Sequence, residues 1–241
     1  MKWRDNKKMR ILVIIPAFNE GGNIETTLQN INSIYNTDLD ILVINDCSTD
    51  NTSQICRNYN VHLIDLPCNL GIGGAVQTGY KFARNNNYDI AIQLDGDGQH
   101  NPIYIENLIN PILRGEASLV IGSRYINKMG FQSTAMRRLG IRYFSKLLEI
   151  LTGQLITDPT SGFRACDKRV IQLFSNRYPV DYPEPESIMF LKRNNLKIME
   201  VPVIMEPRLQ GTSSITSLKS IYYMTKVSLA IVIDRMRKQV S

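Results

Sequence analysis

The chain has 241 residues, of which 43% are hydrophobic and 21% are charged, a balance typical of a globular protein. Its length suits one α/β domain, and no Pro-, Gly- or Ser-rich spacer or internal repeat marks a second one. The formal net charge of +6 suits anionic ligands such as phosphates or anionic lipid. No nucleic-acid-binding motif or aromatic-basic patch accompanies that charge, so we expect no nucleic-acid partner.

The predicted location follows from the cysteines and from the apolar runs. The four cysteines form no CxxC pair, which predicts reduced thiols in a cytosolic protein rather than disulfides or structural zinc. The apolar run at 11–15 is too short for a signal peptide. The longest apolar region, 221–233, is interrupted by Lys226 and falls short of the roughly 20 residues that a spanning helix needs. We therefore expect a cytoplasmic protein, peripheral at the inner face of the cell membrane.

Short β-branched runs alternate with helical patterns along the first half of the chain. Such apolar runs are typical of strands buried in a parallel sheet, and they occur at 11–15, 41–45, 61–65, 90–94 and 119–122. Predicted helices lie between them, at about 23–33, 52–58, 74–85 and 102–113. This order predicts a doubly wound α/β sheet whose ligand site lies beyond the carboxyl ends of the strands.

Two further helices are predicted in the less regular second half. The first, at 136–151, has apolar residues at 136, 139, 143, 147 and 150 and basic residues opposite. The second, from about 217 to 235, is more apolar and is followed by basic residues. Basic amphipathic helices of this kind are typical of an anionic membrane interface, whereas core packing or an oligomer contact is the alternative.

The sharpest chemical signal is the run Asp95-Gly96-Asp97-Gly98-Gln99, directly after an apolar strand. Two carboxylates one residue apart, with glycines that allow a tight turn, offer the hard oxygen ligands that Mg²⁺ or Mn²⁺ prefers. A solvated turn is the alternative for such a run in isolation. A calcium EF-hand is disfavoured because His100 stands where that loop needs glycine.

Polar or glycine-rich runs also follow the other predicted strands. Asp46 could accept hydrogen bonds from a base or ribose, although the run 46–50 could also only cap a helix, with Ser48 or Thr49 as the cap. The run 69–74 could let backbone N–H groups approach a phosphate, but it lacks the ending of a Walker loop. Several such loops at one sheet edge indicate a nucleotide site.

Together these motifs resemble the family 2 glycosyltransferases over residues 11 to about 215. The resemblance depends on several motifs that occur in the family's order. These motifs are PAFNE at 16–20, NDCSTD at 45–50, NLG at 69–71, DGDGQH at 95–100, GSRY at 122–125, DPTSGFR at 158–164, EPR at 206–208 and GTSS at 211–214. The closest similarity is to the polyprenyl-phosphate sugar transferases, including the dolichol-phosphate mannose synthases.

The resemblance implies a GT-A fold, with a Rossmann-like, mostly parallel sheet, amphipathic C-terminal helices and inversion at the anomeric carbon. We predict a catalytic domain at 1–212 and a basic amphipathic segment at 213–241. The implied metal ligands are Asp95, Asp97 and Gln99. The implied nucleotide-sugar-binding residues are Pro16, Ala17, Asn19, Glu20, Asp46, Ser48, Asn69, Gly71, Gly74, Asp95 and Gly96. The implied acceptor-phosphate contacts are Arg124, Arg137, Arg138, Arg208 and Ser213.

The predicted catalytic residues are Asp158, Asp97 and Arg124. A lipid-phosphate acceptor is already anionic near neutral pH, so arginines would suffice to position it. A hydroxyl acceptor would need a general base, for which Asp158 is the first candidate and Glu184 and Glu186 are the others. For Asp158 a loop cap or a salt bridge to Arg164 is the structural alternative.

The expected reaction moves a sugar from a nucleotide-sugar, with UDP favoured, to a polyprenyl phosphate, with Mg²⁺ or Mn²⁺ as cofactor. A glycosyltransferase that extends a saccharide at a hydroxyl is one alternative, and an inactive nucleotide-sugar-binding scaffold is another. A homo-oligomer or a membrane partner protein remains open. The family commonly has paired acids after the second strand, but the first is Asn45 here, which makes base selectivity uncertain.

Overall fold

The computed structural model describes residues 9–35, 38–132, 134–207 and 217–237, with the side chains of the last range from Tyr222 onward. Seven strands lie in one sheet: β1 Ile11–Ala17, β2 Asp40–Asn45, β3 His62–Asp65, β4 Ile90–Gln93, β5 Leu119–Ser123, β6 Arg164–Asp167 and β7 Ile198–Pro202. The helices of this part of the chain are α1 Ile24–Tyr35, α2 Thr52–Cys56, α3 Gly71–Asn85, α4 Ile105–Leu113, α5 Ala135–Thr152, α6 Lys168–Asn176, α7 Pro183–Arg193 and α8 Ser217–Met236, with a 3₁₀ turn at Pro102–Tyr104.

The strand order is β3-β2-β1-β4-β6-β5-β7, and all pairs are parallel except those of β6. This arrangement confirms the predicted mostly parallel α/β sheet. Because β6 runs antiparallel between β4 and β5, its first residue, Arg164, pairs with Gln93 at the carboxyl end of β4. The loop that precedes β6 therefore lies at the same sheet edge as the loops that follow the parallel strands.

The two faces of the sheet are covered by different helices because strand side chains alternate between faces. Leu12 and Ile14 of β1 belong to the core on the side of α3, α5, α6, α7 and α8. Val13 and Ile15 belong to the core on the side of α1 and α4. All four side chains are fully buried, as expected for a central strand that is covered on both sides.

The first-half predictions hold with small shifts, whereas the second half contains elements that were not predicted. Strand β1 extends through Pro16 and Ala17, and α3 already begins at Gly71. The unpredicted elements are β6, α6 and β7, while α7 begins at Pro183 with Glu184 and Glu186 in its first turn. Helix α8 packs against α7 and α5, and its Val227 and Ile231 are fully buried. The predicted domain boundary near 212 lies outside the described residues.

The apolar stripe predicted on α5 is turned outward. The side chains that α5 buries are Ile141, Phe144, Ser145 and Leu148, on a different face from the stripe. The exposed large apolar residues of α5, here called the α5 stripe, are Met136, Leu139, Tyr143 and Ile150. Helix α8 carries a comparable α8 stripe of exposed residues: Tyr222, Leu229, Val232, Ile233 and Met236.

The two stripes belong to neighbouring helices, since the Tyr143 hydroxyl and the Ser228 hydroxyl lie 2.9 Å apart. Among the described helices, none combines the length and the apolarity that crossing a membrane requires.

Candidate active site

The loops that follow β1 and β2 are hydrogen-bonded to each other. Asn19 has a left-handed backbone (φ 55°) that turns the chain sharply. Its N–H donates to Ser48 Oγ at 2.9 Å, and its Oδ1 accepts from the Thr49 N–H at 2.8 Å. Pro16 and Ala17 lie within β1, opposite Ile44 and Asn45 of β2. The first two predicted nucleotide-binding segments are therefore neighbours at the sheet edge.

The start of α2 is capped differently from the prediction, which named Ser48 or Thr49. Asp50 Oδ1 accepts from the Thr52 N–H at 3.0 Å, while Ser48 binds the β1 loop instead. Asp50 Oδ2 also accepts from the Gly21 N–H, and the Glu20 N–H donates to Thr52 Oγ1 at 2.9 Å. Desolvation raises the pKa of Asp50, but the hydrogen bonds that its carboxylate accepts from Thr52 and Gly21 hold that pKa below its ordinary value.

Asp46 is buried and its carboxylate faces the first turn of α3. Oδ1 accepts from the Leu70 N–H at 2.7 Å, and Oδ2 accepts from the Gly71 N–H at 2.9 Å. Asn69 Nδ2 donates to the Asp46 carbonyl at 3.2 Å. The carboxylate thus satisfies two N–H groups at a helix start, and its contact with a nucleoside stays a prediction.

Gly74 is packed too tightly for a side chain, whereas Gly96 is not. A Cβ on Gly74 would lie 2.5 Å from the Leu70 Cβ, at the start of α3. A Cβ on Gly96 would lie 3.4 Å from the Pro16 carbonyl oxygen, an ordinary van der Waals contact. The loop after β4 therefore lies directly against β1.

The loop at 95–100 is held in shape by His100. The Asp95 N–H donates to His100 Nδ1 at 3.0 Å, and the imidazole stacks on Phe163 with ring centroids 4.9 Å apart. Asp97 Oδ1 accepts from the Gln99 N–H at 3.0 Å. Asp97 is buried, whereas about a third of the Asp95 side chain is exposed (36%).

Gln99 joins this loop to the segment that follows β7. The Glu206 N–H donates to the Gln99 carbonyl at 3.0 Å, and Gln99 Nε2 donates to the Glu206 carbonyl at 3.2 Å. Within the described ranges, no three His, Cys, Asp or Glu side chains form a metal-binding group. Mg²⁺ is commonly held by one or two carboxylates together with substrate phosphates, and Asp95 and Asp97 fit that donor set.

Arg124, directly after β5, and Asp158, in the loop before β6, form a buried ion pair at the same sheet edge. Arg124 Nε donates to Asp158 Oδ2 at 2.7 Å, and Nη2 donates to Oδ1 at 2.8 Å. Asp158 is fully buried and Arg124 is 13% exposed. Burial lowers the pKa of Arg124. The hydrogen bonds to Asp158 and the charge of Asp95 outweigh this effect and raise the pKa above its ordinary value, so the guanidinium stays charged.

The structural partner of Asp158 is Arg124 rather than Arg164, which corrects the salt bridge considered from the sequence. The Asp158 N–H donates to Glu200 Oε1 at 2.8 Å, so β7 also fixes this residue. An aspartate that is fully buried and accepts from Arg124 at both oxygens is well placed to orient that arginine. Its role as a general base stays a prediction.

Arg164 is a buried arginine that builds the loop before β6. Its Nε donates to the Ser161 carbonyl at 2.6 Å, and its Nη2 donates to the Pro159 carbonyl at 2.9 Å. Its Nη1 donates to the Glu184 carbonyl and to Ser187 Oγ, each at 2.9 Å. These bonds tie the 158–164 loop to the start of α7.

Arg137 and Arg138 lie in the first turn of α5, on the side of Arg124. Burial raises the pKa of Tyr125, and the charges of Arg124, Arg138 and Arg137 act in the opposite direction. The three arginines therefore share the electrostatic environment of Tyr125. The other two predicted acceptor contacts, Arg208 and Ser213, lie outside the described residues.

Gln93 is a site residue that sequence reasoning missed, and Glu184 lies beside it. Gln93 is fully buried at the end of β4, and Tyr178 donates to its Oε1 at 3.4 Å. Burial raises the pKa of Glu184, the charge of Arg164 lowers it, and the charge of Asp95 raises it. Glu184 is thus a partly exposed carboxyl within electrostatic reach of Asp95. No signal in the sequence joined these residues.

Gly162 was not predicted as a site residue, but it lies directly against Asp95. A Cβ there would stand 3.0 Å from both Asp95 carboxylate oxygens and 3.2 Å from Gln93 Nε2. We expect Gly162→Ala to displace Asp95 and to slow sugar transfer by roughly ten- to a hundredfold, measured as nucleoside diphosphate release.

The matched control for that substitution is Gly140→Ala, because Gly140 lies inside α5 with open space around its Cβ position. It should keep full activity and add roughly 0.5–1 kcal/mol to the free energy of unfolding. Equal activity in both variants would show that the Asp95 position does not matter for turnover.

The family assignment follows from comparison with known sequences. The profile described as "Glycosyl transferase family 2" matches residues 12–174, more than half of the chain. The chain belongs to this family and is a glycosyltransferase.

Two relatives illustrate the family's chemistry. The UDP-N-acetylglucosamine–dolichyl-phosphate N-acetylglucosaminyltransferase of Methanococcus voltae is 31% identical, over 93% of this chain and 98% of its own length. The undecaprenyl-phosphate mannosyltransferase of Micrococcus luteus is 31% identical, over 65% of this chain and 66% of its own. Both names describe transfer to a polyprenyl phosphate.

The fold matches a solved GT-A structure. Glucosyl-3-phosphoglycerate synthase from Mycobacterium tuberculosis, crystallised with Mn²⁺, UDP-glucose and phosphoglyceric acid, aligns with a TM-score of 0.71. The match covers 94% of this chain and 79% of that chain at 21% identity. This similarity confirms the predicted GT-A fold.

Proposed function

We propose that the chain transfers a sugar from a nucleotide-sugar donor, with UDP-sugar favoured, to a polyprenyl phosphate such as undecaprenyl phosphate, for cell-envelope glycan synthesis. The acceptor phosphate oxygen forms a bond to the anomeric carbon as the bond to the diphosphate breaks. The nucleoside diphosphate leaves, and the anomeric configuration inverts.

The observation that carries this proposal is the Arg124–Asp158 pair beside the Asp95 loop. Each oxygen of the Asp158 carboxylate accepts a hydrogen bond from one edge of the Arg124 guanidinium. These two bonds fix the plane of the guanidinium. A fixed guanidinium suits phosphate recognition better than a flexible ammonium does. With Arg137 and Arg138 on the same side, a phosphate acceptor meets concentrated positive charge and needs no general base.

On the donor side, Asp95 and Asp97 would hold a divalent cation, Mg²⁺ or Mn²⁺. When bound, that cation would neutralise the charge of the departing diphosphate. The UDP preference draws support from the Methanococcus voltae relative, whose name specifies a UDP-sugar, and from the solved structure with UDP-glucose and Mn²⁺. Asn19, Ser48 and Asn69 belong to the loops that would surround the nucleotide.

The acceptor's lipid chain calls for contact with a membrane, which the α5 and α8 stripes could provide. Arg142 and Lys146 of α5, and Arg235 of α8, lie on the same helices as these exposed apolar residues. Apolar side chains accompanied by cations are typical of peripheral contact with an anionic lipid surface. We infer a cytoplasmic protein at the inner membrane face. Contact with a second copy of the chain or with a membrane partner protein is the alternative role for the stripes.

The test is donor turnover with Mg²⁺ or Mn²⁺ across a panel of UDP- and GDP-sugars, with and without undecaprenyl phosphate. We expect metal-dependent nucleoside diphosphate release only when the lipid is present, together with an organic-extractable sugar. Release that is equal without the lipid, or no extractable product with any donor, would contradict the lipid-phosphate proposal.

Glu184 favours a second candidate, transfer to a saccharide hydroxyl. A partly exposed carboxyl with a raised pKa near Asp95 is suited to accept a proton from a hydroxyl. In that case Glu184→Gln would abolish turnover, whereas a lipid-phosphate acceptor would leave most of it.

A further inference from the structure

A cavity of about 230 Å³ lies between α7 and α8, away from the loops of the candidate active site. Its polar lining comes from Arg177, Glu186, Asp234 and Arg237, and Phe190 and Ile233 contribute to its apolar lining. Two carboxylates and two guanidinium groups therefore face one small space. A lining of mixed sign suits a ligand that carries both charges more than it suits a simple anion.

One carboxylate in this lining is incompletely satisfied. The Asp234 side chain is only 9% exposed, and its Oδ1 accepts from Arg177 Nη2 at 2.9 Å. Its Oδ2 is buried and has no hydrogen-bond partner in the part of the chain that the structure describes. This oxygen is enclosed by protein, so Asp234 contributes negative charge to the site rather than a contact through Oδ2.

The cavity also borders the α8 stripe. Ile233 belongs to both, since it lines the cavity and is 43% exposed. Met236 and Val180, on either side of α8's end, are exposed as well. A ligand in this cavity can therefore extend an apolar tail over neighbouring apolar side chains.

We propose that this cavity binds the headgroup of an ethanolamine phospholipid, with the ammonium group at Glu186 and Asp234 and the phosphate at Arg177 and Arg237. The proposal rests on the membrane contact proposed above. A primary ammonium donates hydrogen bonds, which the quaternary ammonium of a choline lipid does not, and a glycerol headgroup has no cation at all. Glu186, a partly exposed carboxylate in the lining, is the acceptor that selects among them.

The pH dependence of this binding is fixed by Glu186. Burial raises its pKa to about 7, with further contributions from Asp181 and Asp234, while Lys226 and Arg177 lower it. An ammonium group binds the ionised carboxylate, so binding should strengthen as the pH rises through 7 and weaken below it. The charged groups around the site are Asp181, Asp234, Lys226, Arg177, Arg193 and Arg237.

The experiment measures sedimentation with vesicles of fixed phosphatidylglycerol content, in which phosphatidylcholine is replaced by phosphatidylethanolamine. At pH 8 we expect the ethanolamine lipid to increase affinity about tenfold, an increase that shrinks at pH 6. Glu186→Gln and Arg237→Gln should lose the increase. The matched controls Glu116→Gln and Arg114→Gln, an exposed pair that does not line the cavity, should keep it.

A second arm uses soluble phosphoethanolamine and phosphocholine with the unchanged protein. We expect only phosphoethanolamine to raise the Tm, by an amount that Glu186→Gln abolishes. Equal effects of the two compounds, together with equal vesicle binding, would overturn the headgroup site. If the protein binds no vesicle but responds to phosphoethanolamine, the site stands and the proposed membrane contact fails.

Discussion

Replacing Asp97 by asparagine should lower sugar transfer about a thousandfold while leaving the protein folded. Asparagine keeps the shape of the side chain, and its oxygen can still accept from the Gln99 N–H, as Asp97 Oδ1 does at 3.0 Å. It lacks the negative charge that a divalent cation requires. Loss of such electrostatic stabilisation costs about 4 kcal/mol, which corresponds to that factor in rate.

The measurement is nucleoside diphosphate release at increasing Mn²⁺, alongside thermal unfolding. Asp89→Asn is the matched control because Asp89 lies at the other end of β4, where it accepts from the Arg10 N–H at 3.0 Å. It should keep its activity. If the Asp97→Asn variant stays active, Asp97 is not required for catalysis. If the wild-type protein binds the donor without turnover, the result supports the inactive-scaffold alternative.

Arg124→Ala should abolish lipid-dependent transfer and also destabilise the protein. Asp158 is fully buried and would lose its main partner. Removing one member of a buried pair typically costs about 3–5 kcal/mol. We therefore expect a lower free energy of unfolding in urea and a thousandfold or greater loss of transfer, since the positioned cation is gone.

A double variant separates the two effects. Adding Asp158→Asn to Arg124→Ala removes the unpaired charge, so it should recover part of the stability but none of the activity. Arg169→Ala serves as the control because the Arg169 side chain is 69% exposed in its pair with Asp167, and a solvent-exposed ion pair contributes only about 0–1 kcal/mol. Recovery of activity in the double variant would mean that Arg124 acts only through the fold.

The first half of the fold could be predicted because each strand there is a continuous apolar run. Strand β6 could not, since its four residues, Arg164–Asp167, begin with an arginine whose burial depends on carbonyls from two other segments. Two prolines and several charges blur the helical period of α7. Helix α6 has a clear helical period, with Val170, Ile171 and Phe174 buried on one face, which sequence reasoning left unused. A local sequence pattern does not show that backbone carbonyls from other segments will accept hydrogen bonds from a buried arginine.

The sequence predicted which loops form the candidate site, but not which side chains contact each other there. The sequence singled out Arg124 and Asp158, yet their pairing joins positions 34 residues apart. Gly162 has no chemical group to attract notice, and only its approach to Asp95 gives it a role. The period of α5 located an apolar face but could not decide between membrane contact and core packing, and the structure leaves most of that face exposed.

The antiparallel strand β6 has a dynamic consequence. It is hydrogen-bonded to β4 on one side and to β5 on the other, so one continuous sheet joins the strands that precede the loops at 95–100 and at 124 to the strand that follows the loop at 158–163. Substrate capture then requires no hinge. In hydrogen–deuterium exchange, the amides of β4, β5 and β6 should stay equally slow with and without donor, while those at 95–100 and 158–163 become slower.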